Sequence, residues 1–215
     1  MSLKLYMHPL ASFCQKVLIA LYENGTTFEP HMVDLGDAAA NARFKALWPI
    51  GKMPVLRDEA RDRTVAESSI IIEYIDQHYS GTNRLIPADP ELALQARFTD
   101  RFYDLYVHEP MQKIVTDRLR PAGMNDPHGV EQARALMQTA YATIEQAMKS
   151  RRWAAGDAFT MADCAAAPAL FYANKVAPFG ETYPGIAVYF SRLMERPSFA
   201  RVLREAEPYL KHFPQ

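Results

Sequence analysis

The chain has few cysteines, little net charge and no long apolar run, and each of these absences excludes a class of protein. Its two cysteines, Cys14 and Cys164, stand too far apart for a zinc site or a disulfide framework. The formal net charge of -1 gives no reason to expect a nucleic acid or an acidic membrane surface as a partner. No segment has the apolar length of a bilayer span, and the first residues lack the apolar core of a signal peptide. We therefore expect a cytoplasmic protein without a metal ion.

Several familiar catalytic motifs are absent as well. The sequence contains no G-x-G-x-x-G, no P-loop and no H-E-x-x-H. Hydrophobic residues make up 49% of the 215 positions, which is enough for one large or two small folded domains. The function therefore has to be sought in less common patterns.

Alternating strand and helix patterns predict a small α/β domain at residues 1–82. Gly25 is placed to end the first helix, because glycine adopts the left-handed conformation of a helix C-terminus at low cost. The order is βαβ-ββα, and Pro54 opens the third strand, which is typical of a thioredoxin-like fold. The predicted strands cover residues 4–7, 28–35, 54–57 and 63–65, and the predicted helices cover 13–24, 38–47 and 69–79.

Residues 83–90 predict a linker, because Pro87 and Pro90 break both helix and strand. Residues 91–215 show no strand alternation and predict an all-helical domain. Its clearest helix start is Thr160, with Asp163 as the N3 residue of a variant capping box. The predicted helices cover about 91–119, 130–150, 161–174, 186–195 and 199–206.

The main functional signal is the segment GKMPVL at residues 51–56. A peptide bond before proline adopts the cis form at low cost, and proline donates nothing to a sheet. A cis Met53-Pro54 bond would turn the backbone of Met53 outward, toward an extended peptide ligand. Glu67 and Ser68 stand at the start of the next predicted helix, where free N–H groups and the helix dipole favour a carboxylate. These features predict a site for a small peptide such as glutathione.

Together with LYMHP at residues 5–9 and SFC at 12–14, these motifs resemble those of the cytosolic glutathione S-transferases of bacterial type. The resemblance covers nearly the whole chain. It implies a thioredoxin-like N-terminal domain, with an all-helical C-terminal domain that supplies the electrophile pocket and dimer contacts. It also implies a homodimer with glutathione as cosubstrate.

The resemblance implies that five residues bind glutathione: Lys52, Met53, Pro54, Glu67 and Ser68. It implies that Glu67 binds the γ-glutamyl amine and that Ser68 binds the neighbouring carboxylate. Lys52 would point toward the glycyl carboxylate.

The thiol-activating residue is where the sequence departs from several classes of the family. Those classes place a serine or cysteine where this chain has Ala11, whereas Ser12 stands where the bacterial beta class has its cysteine. A Ser12 hydroxyl at a helix N-terminus can donate to the glutathione sulfur, although such a serine can also be a plain N-cap. Tyr6 is the alternative donor. Cys14 is expected to be a small buried hydrophobic residue.

The second-substrate pocket is predicted by analogy with similar enzymes. The residues assigned to it are His8, Tyr103, Val107, His108 and Met111. A pocket of this kind is apolar and open, so the sequence constrains its ligand weakly.

The predicted function is conjugation of the glutathione thiolate to small hydrophobic electrophiles, in detoxification. One alternative is a glutathione-dependent isomerase or dehalogenase. Against it, the zeta-type isomerases have adjacent serines followed by a cysteine, where this chain has Ala11, Ser12 and Phe13. The other alternative is a binding or interaction protein of the same fold without turnover.

Overall fold

A computed structural model describes residues 2–79, 81 and 83–214 of the chain. Residues 1, 82 and 215, at which predicted domains begin or end, lie outside the described part.

The N-terminal domain is built on one mixed sheet of four strands. Its elements are β1 (Leu3–Met7), α1 (Ser12–Asn24), β2 (Glu29–Met32), α2 (Ala38–Leu47), β3 (Val55–Asp58), β4 (Arg63–Ala66) and α3 (Ser68–His78). The strand order is β2-β1-β3-β4, with β1 parallel to β2 and antiparallel to β3, and β4 antiparallel to β3. This βαβ-ββα arrangement confirms the predicted thioredoxin-like fold.

Local sequence explains where β1 and α1 begin and end. Leu3, Leu5 and Met7 are buried on one face of β1, as the alternation of a half-covered strand requires. α1 ends at Gly25, which has φ 65° in the left-handed region and donates its N–H to the carbonyls of the last turn. The predicted second strand is shorter in the structure, where β2 has four residues.

The C-terminal domain is helical, as predicted. Its elements are α4 (Pro90–Phe102), a π-helical segment (Tyr103–His108), α5 (Glu109–Asp117), α6 (Pro127–Met148), α7 (Met161–Val176), α8 (Pro184–Met194) and α9 (Pro197–Ala206), with 3₁₀ turns at Gly180–Thr182 and Glu207–His212. α7 is buried over most of its length and packs against α1, α4 and the π-helical segment. The two domains therefore share one hydrophobic core.

The predicted single helix over residues 91–119 is wrong in its middle, where six residues form the π-helical segment. The Glu109 N–H donates to the carbonyl of Asp104, five residues earlier, so the turn is wider than in an α-helix. Pro110 gives the physical reason. A proline donates no N–H, and its ring clashes with the carbonyl four residues before it unless the turn opens.

The predicted capping box at the start of α7 is confirmed. The Thr160 hydroxyl accepts from the Ala162 N–H, and Asp163 Oδ2 accepts from the Thr160 N–H at 2.9 Å. Asp163 Oδ1 accepts from the Ala154 N–H at 2.8 Å and from the Tyr189 hydroxyl at 2.7 Å. Burial raises the pKa of Asp163 to about 6. The hydrogen bonds from these donors stabilise the carboxylate and act in the opposite direction, lowering its pKa. The carboxylate thus joins the segment between α6 and α7, the start of α7, and α8.

The predicted linker contains buried residues. Leu85 is 1% exposed, its N–H donates to Asp76 Oδ1 at 3.0 Å, and its carbonyl accepts from the Met161 N–H at 2.9 Å. Among the described residues, none of the helices has the length and apolar character needed to cross a bilayer.

Candidate active site

A cleft of about 1110 Å³ lies between the two domains, and we call it the active-site cleft. The N-terminal domain contributes residues 10–13, from the start of α1, and residues 51–53, which precede β3. The C-terminal domain contributes residues on both sides of the π-helix–α5 junction. The apolar and aromatic members of its wall are Leu10, Ala11, Phe13, Leu35, Met53, Leu105, Pro110, Met111, Val115, Ala133, Leu136, Tyr172, Phe213 and Pro214.

Ser12 is the first residue of α1 and lines the active-site cleft. The N-cap is Ala11, which has no capping side chain, so the serine hydroxyl is available for another partner. Ser12 Oγ is hydrogen-bonded to Nε2 of His108, at the end of the π-helical segment. The two side chains are 9% and 3% exposed. The site thus pairs a hydroxyl from one domain with an imidazole from the other.

His108 is held in its neutral form. Burial, with a further contribution from the Lys16 ammonium group, lowers its pKa to about 4. Its Nδ1 has no hydrogen-bond partner among the described residues. A buried bare ring nitrogen costs less than a buried N–H without an acceptor, so we assign the proton to Nε2, which donates to Ser12. The hydroxyl hydrogen of Ser12 is then free to donate into the cleft.

The Met53-Pro54 peptide bond is cis, which confirms the prediction. β3 begins at Val55, so Met53 lies outside the sheet and lines the cleft beside Lys52. The strand register pairs Val55 with Ala66. This pairing brings the cis bond and the residue after Ala66, Glu67, to the same end of the β3–β4 hairpin.

Glu67 and Ser68, which are predicted to form a second arm of the site, lie at the N-terminus of α3. Glu67 is exposed and has φ 68°, a left-handed conformation that is uncommon for a residue with a side chain and that clusters at binding sites. Ser68 is 7% exposed, and its N–H belongs to the first turn, which has no intrahelical acceptor. Within the described residues, neither side chain belongs to the wall of the active-site cleft.

Of the five residues predicted for the second-substrate pocket, His108 and Met111 line the cleft. The structure places the other three elsewhere. Tyr103 and Val107 are core residues with 1% and 0% exposure, because the π-helical segment packs against α7 and buries them. His8 is half-buried, and its ring meets the edge of Tyr209 at 5.2 Å.

Tyr6, the alternative donor, packs on another surface of the sheet. Its ring stacks on the imidazole of His31, with 5.1 Å between the ring centroids. Its centroid lies 6.2 Å from that of the Phe44 ring on α2. Cys14 is fully buried, and desolvation raises its pKa to about 12, which agrees with its predicted role as a small hydrophobic residue. Within residues 2–79, 81 and 83–214, no three His, Cys, Asp or Glu side chains are grouped as they would be around a metal ion.

Sequence reasoning missed much of the cleft wall. Phe13, Leu105, Tyr172 and Phe213 come from separate elements, so no periodicity within one helix identifies them. Tyr172 and Phe213 stack at 5.3 Å and thereby hold the C-terminal segment against α7. Only the chain's path in three dimensions brings these side chains together.

Comparison with known families agrees with this architecture. The family model described as the glutathione S-transferase N-terminal domain matches residues 5–83. The model described as the glutathione S-transferase C-terminal domain matches residues 127–205. The two matches together cover most of the chain.

Individual proteins are similar over almost their whole length. A glutathione S-transferase of Pseudomonas putida is 28% identical, with 98% of this chain and 96% of that protein aligned. The FtsZ-localized protein A of Caulobacter vibrioides is 27% identical, over 96% and 92% of the two chains. The crystal structure of a Methylobacillus flagellatus glutathione S-transferase with glutathione bound has a TM-score of 0.84 and 25% identity, covering 94% of this chain and 98% of that one.

The two family models match the chain in the order of its N-terminal and helical domains, and the Pseudomonas relative aligns over nearly all of it. On this basis, the chain belongs to the glutathione S-transferase family.

Proposed function

We propose that the protein is a glutathione transferase, which conjugates the glutathione thiolate to small hydrophobic electrophiles. The observation that carries the proposal is the Ser12–His108 pair, which aims a hydroxyl donor into a largely apolar cleft at the N-terminus of α1. Detoxification of such electrophiles is the corresponding role. The protein would act in the cytoplasm, where thiols such as buried Cys14 and Cys164 stay reduced.

Glutathione would bind as an extended peptide along the cis-proline edge. The Met53 backbone lies outside the ladder, which suits pairing with the peptide backbone. Lys52 is exposed on the cleft, where a cation suits the glycyl carboxylate. At the other end, the Ser68 N–H and hydroxyl suit the γ-glutamyl carboxylate, and the Glu67 carboxylate suits its amine.

Thiol activation would occur by hydrogen-bond donation and not by proton abstraction. A thiol with a pKa of about 8.5 would have to give its proton to an imidazole with a pKa of about 4, which is uphill by roughly 6 kcal/mol. His108 is therefore too weak a base to keep that proton. Instead, its Nε2–H orients Ser12, the Ser12 hydroxyl and the dipole of α1 stabilise the thiolate, and the proton leaves to solvent.

The apolar wall would hold the electrophile beside this thiolate. Phe13 follows Ser12 on α1, Met53 precedes β3 and Met111 lies on α5, and all three line the cleft. Binding both reactants in one cleft replaces a bimolecular encounter with an intramolecular one, which accounts for much of the remaining rate acceleration.

The decisive experiment is Ser12→Ala, assayed for conjugation over a panel of electrophiles and for the thiolate absorbance of bound glutathione against pH. We expect the rate to fall by about 10²–10³, as for loss of one donor to a developing anion, with a much smaller change in glutathione affinity. The apparent pKa of the bound thiol should rise toward that of free glutathione.

Two matched variants control this experiment. Ser191→Ala removes an exposed serine hydroxyl on α8, and Tyr6→Phe removes the alternative donor; both should behave as wild type. A normal thiolate titration in Ser12→Ala, with its loss in Tyr6→Phe, would assign activation to the tyrosine and contradict the proposed mechanism.

A binding function without turnover is the second candidate, and one specific observation favours it. The Caulobacter relative carries a name that records localisation to FtsZ and no reaction. The thiolate titration separates the two candidates, because a wild-type protein that binds glutathione without lowering the pKa of its thiol would be a binding protein. Turnover of a single isomerisation or dehalogenation substrate, with no general conjugation, would indicate a specialised enzyme using the same site.

We also propose that the protein is a homodimer. Apolar side chains are exposed on α3 and α4, where Ile70 is 54%, Leu94 61% and Phe98 61% exposed. A second copy covering these helices would remove the side chains from water, and each would gain roughly 1–2 kcal/mol on burial. The face of α4 that carries Leu94 and Phe98 is thus the proposed contact.

A further inference from the structure

A buried cluster of charged side chains lies about one helical turn from the Ser12–His108 pair, on the same two chain segments. Lys16 is 1% exposed, and its Nζ lies 2.7 Å from Asp100 Oδ1 and 2.9 Å from Asp104 Oδ2. The same ammonium group donates to Ser69 Oγ at 2.9 Å, and the Ser69 hydroxyl donates to Asp100 Oδ2 at 2.6 Å. The cluster joins α1, α3, α4 and the π-helical segment.

The cluster and the catalytic pair are parallel cross-links between the same two chain segments. Lys16 follows Ser12 by four residues on α1, and His108 follows Asp104 by four residues on the π-helical segment. In an α-helix, each step of four residues drifts by about 40° around the axis, because a turn takes 3.6 residues. A π turn takes more than four residues, so a step of four there drifts in the opposite direction and offsets the α-helical drift. Asp100, Asp104 and His108 can therefore all face α1.

Charged groups of both signs lie around His108. Lys16 faces Asp100 and Asp104, and Arg101, which is half-exposed, donates to Asp104 at 3.1 Å. Glu109, the next residue in the chain, is exposed. Four further basic residues line the same cleft from other elements: Lys52 before β3, Lys113 on α5, Arg120 just after α5, and His212 in the C-terminal segment. Without Lys16, two buried carboxylates would lie on the helix that carries His108, and in the part of the chain that the structure describes no other buried cation would lie between the helices.

We propose that Lys16 is a positioning residue for the Ser12–His108 pair: its ammonium group fixes α1 against the helix that carries His108 and offsets the negative charge of Asp100 and Asp104 behind the imidazole. The inference rests on the proposed transferase function. It extends that function by naming a group that, in addition to burial, favours the neutral form of His108 in which Nε2 donates to Ser12. Ser69 adds α3 to the same cluster, so Lys16 also braces the helix that begins with the proposed glutathione-binding residue Ser68.

A merely structural ion pair would stabilise the fold without affecting His108, and this difference makes the proposal testable. The test is the titration of His108 in the full-length protein by NMR of ¹³C-labelled histidine, with the resonance assigned from His108→Gln. In Lys16→Met we expect the His108 midpoint to rise by about one pH unit, because the two carboxylates are no longer offset. In Lys16→Arg, which keeps the positive charge, the midpoint should stay near that of wild type.

Arg196→Met is the matched control. Arg196 forms a bidentate ion pair with buried Glu23, which also links α1 to the C-terminal domain but at the other end of α1. This variant should lose stability as Lys16→Met does, and it should leave the His108 midpoint unchanged.

The kinetic readout is the separation of kcat from KM. Lys16→Met is expected to lower kcat about tenfold while the KM for glutathione changes little, because Lys16 holds Ser12 on α1 opposite His108 and touches no substrate. If Lys16→Met does not fold, Asp104→Asn provides the opposite perturbation. It leaves the ammonium group facing one carboxylate, so the His108 midpoint should fall or leave the accessible pH range.

An unchanged midpoint in Lys16→Met, or a raised one in Asp104→Asn, would overturn the proposal. These results do not depend on turnover. A wild-type protein that conjugates no electrophile would contradict the proposed function, whereas the titration shifts would still report whether Lys16 controls the charge of His108.

Discussion

Protonation of His108 should make the stability of the protein depend on pH, and the sign follows from the burial of this side chain. Its pKa is about 4 in the folded protein and 6.5 in an exposed histidine. Between these values the unfolded chain binds the proton and the folded protein does not. The free energy of unfolding must therefore decrease as the pH falls from 6.5 toward 4, and the contribution of His108 is constant outside that window.

The magnitude follows from the same two values. Each pH unit is worth about 1.4 kcal/mol, so the full window amounts to roughly 3 kcal/mol, of which roughly 2 kcal/mol is lost by pH 5. A loss of this size is a large fraction of the stability of an ordinary domain.

The assay compares wild type with His108→Gln by urea unfolding near pH 7 and near pH 5, followed by circular dichroism. Other titrating groups contribute equally to both proteins, so the difference in pH dependence isolates His108. We expect the variant to lose about 2 kcal/mol less than wild type on acidification. His128→Gln, at an exposed position on α6, is the control and should lose as much as wild type. Equal pH dependence in wild type and His108→Gln would refute the reasoning.

Three further predictions concern other parts of the molecule. Glu67→Ala and Ser68→Ala should each weaken glutathione binding by roughly 1.5–3 kcal/mol, the range for a hydrogen bond to a charged group; unchanged calorimetric affinity in both would dismiss this arm of the site. Asp163→Asn should lower the free energy of unfolding, measured in urea, by about 2–4 kcal/mol, because an amide N–H₂ would face buried donors. A loss below about 0.5 kcal/mol would show that the carboxylate is dispensable. Phe98→Glu should shift the sedimentation of the proposed dimer toward that of a monomer. Leu119→Glu, at a similarly exposed site outside α3 and α4, should leave it unchanged. A wild-type protein that sediments as a monomer at micromolar concentration would contradict the dimer.

The fold could be predicted because its main signals are local. Gly25 ends α1, Pro54 marks the cis bond, and Thr160 with Asp163 begins α7. Each of these residues acts on backbone atoms within a few positions of itself, so a single sequence contains the whole signal. The π-helical segment escaped because Pro110 is equally compatible with the first turn of an ordinary helix.

The site was predicted only in part, for the opposite reason. Ser12 and the glutathione-binding residues were assigned from short motifs, but the hydrogen bond from His108 to Ser12 joins residues 96 positions apart. Lys16 is a charged residue in an apolar helix, and its partners on the helix that carries His108 are as distant in sequence. The spacing of residues within α1 does not identify these partners. Such pairs are fixed by how the two domains pack, which local patterns do not encode.

The division of the Ser12–His108 pair between the domains has a consequence for recombination among relatives. A chimera that kept this N-terminal half and took its helices from a family member without a histidine at the position of His108 would lack an imidazole opposite Ser12. The reverse exchange would leave His108 facing a foreign first turn. The proposed chemistry thus depends on a contact between the two domains. Activity can be transferred to another protein only if both sides of this contact are moved together.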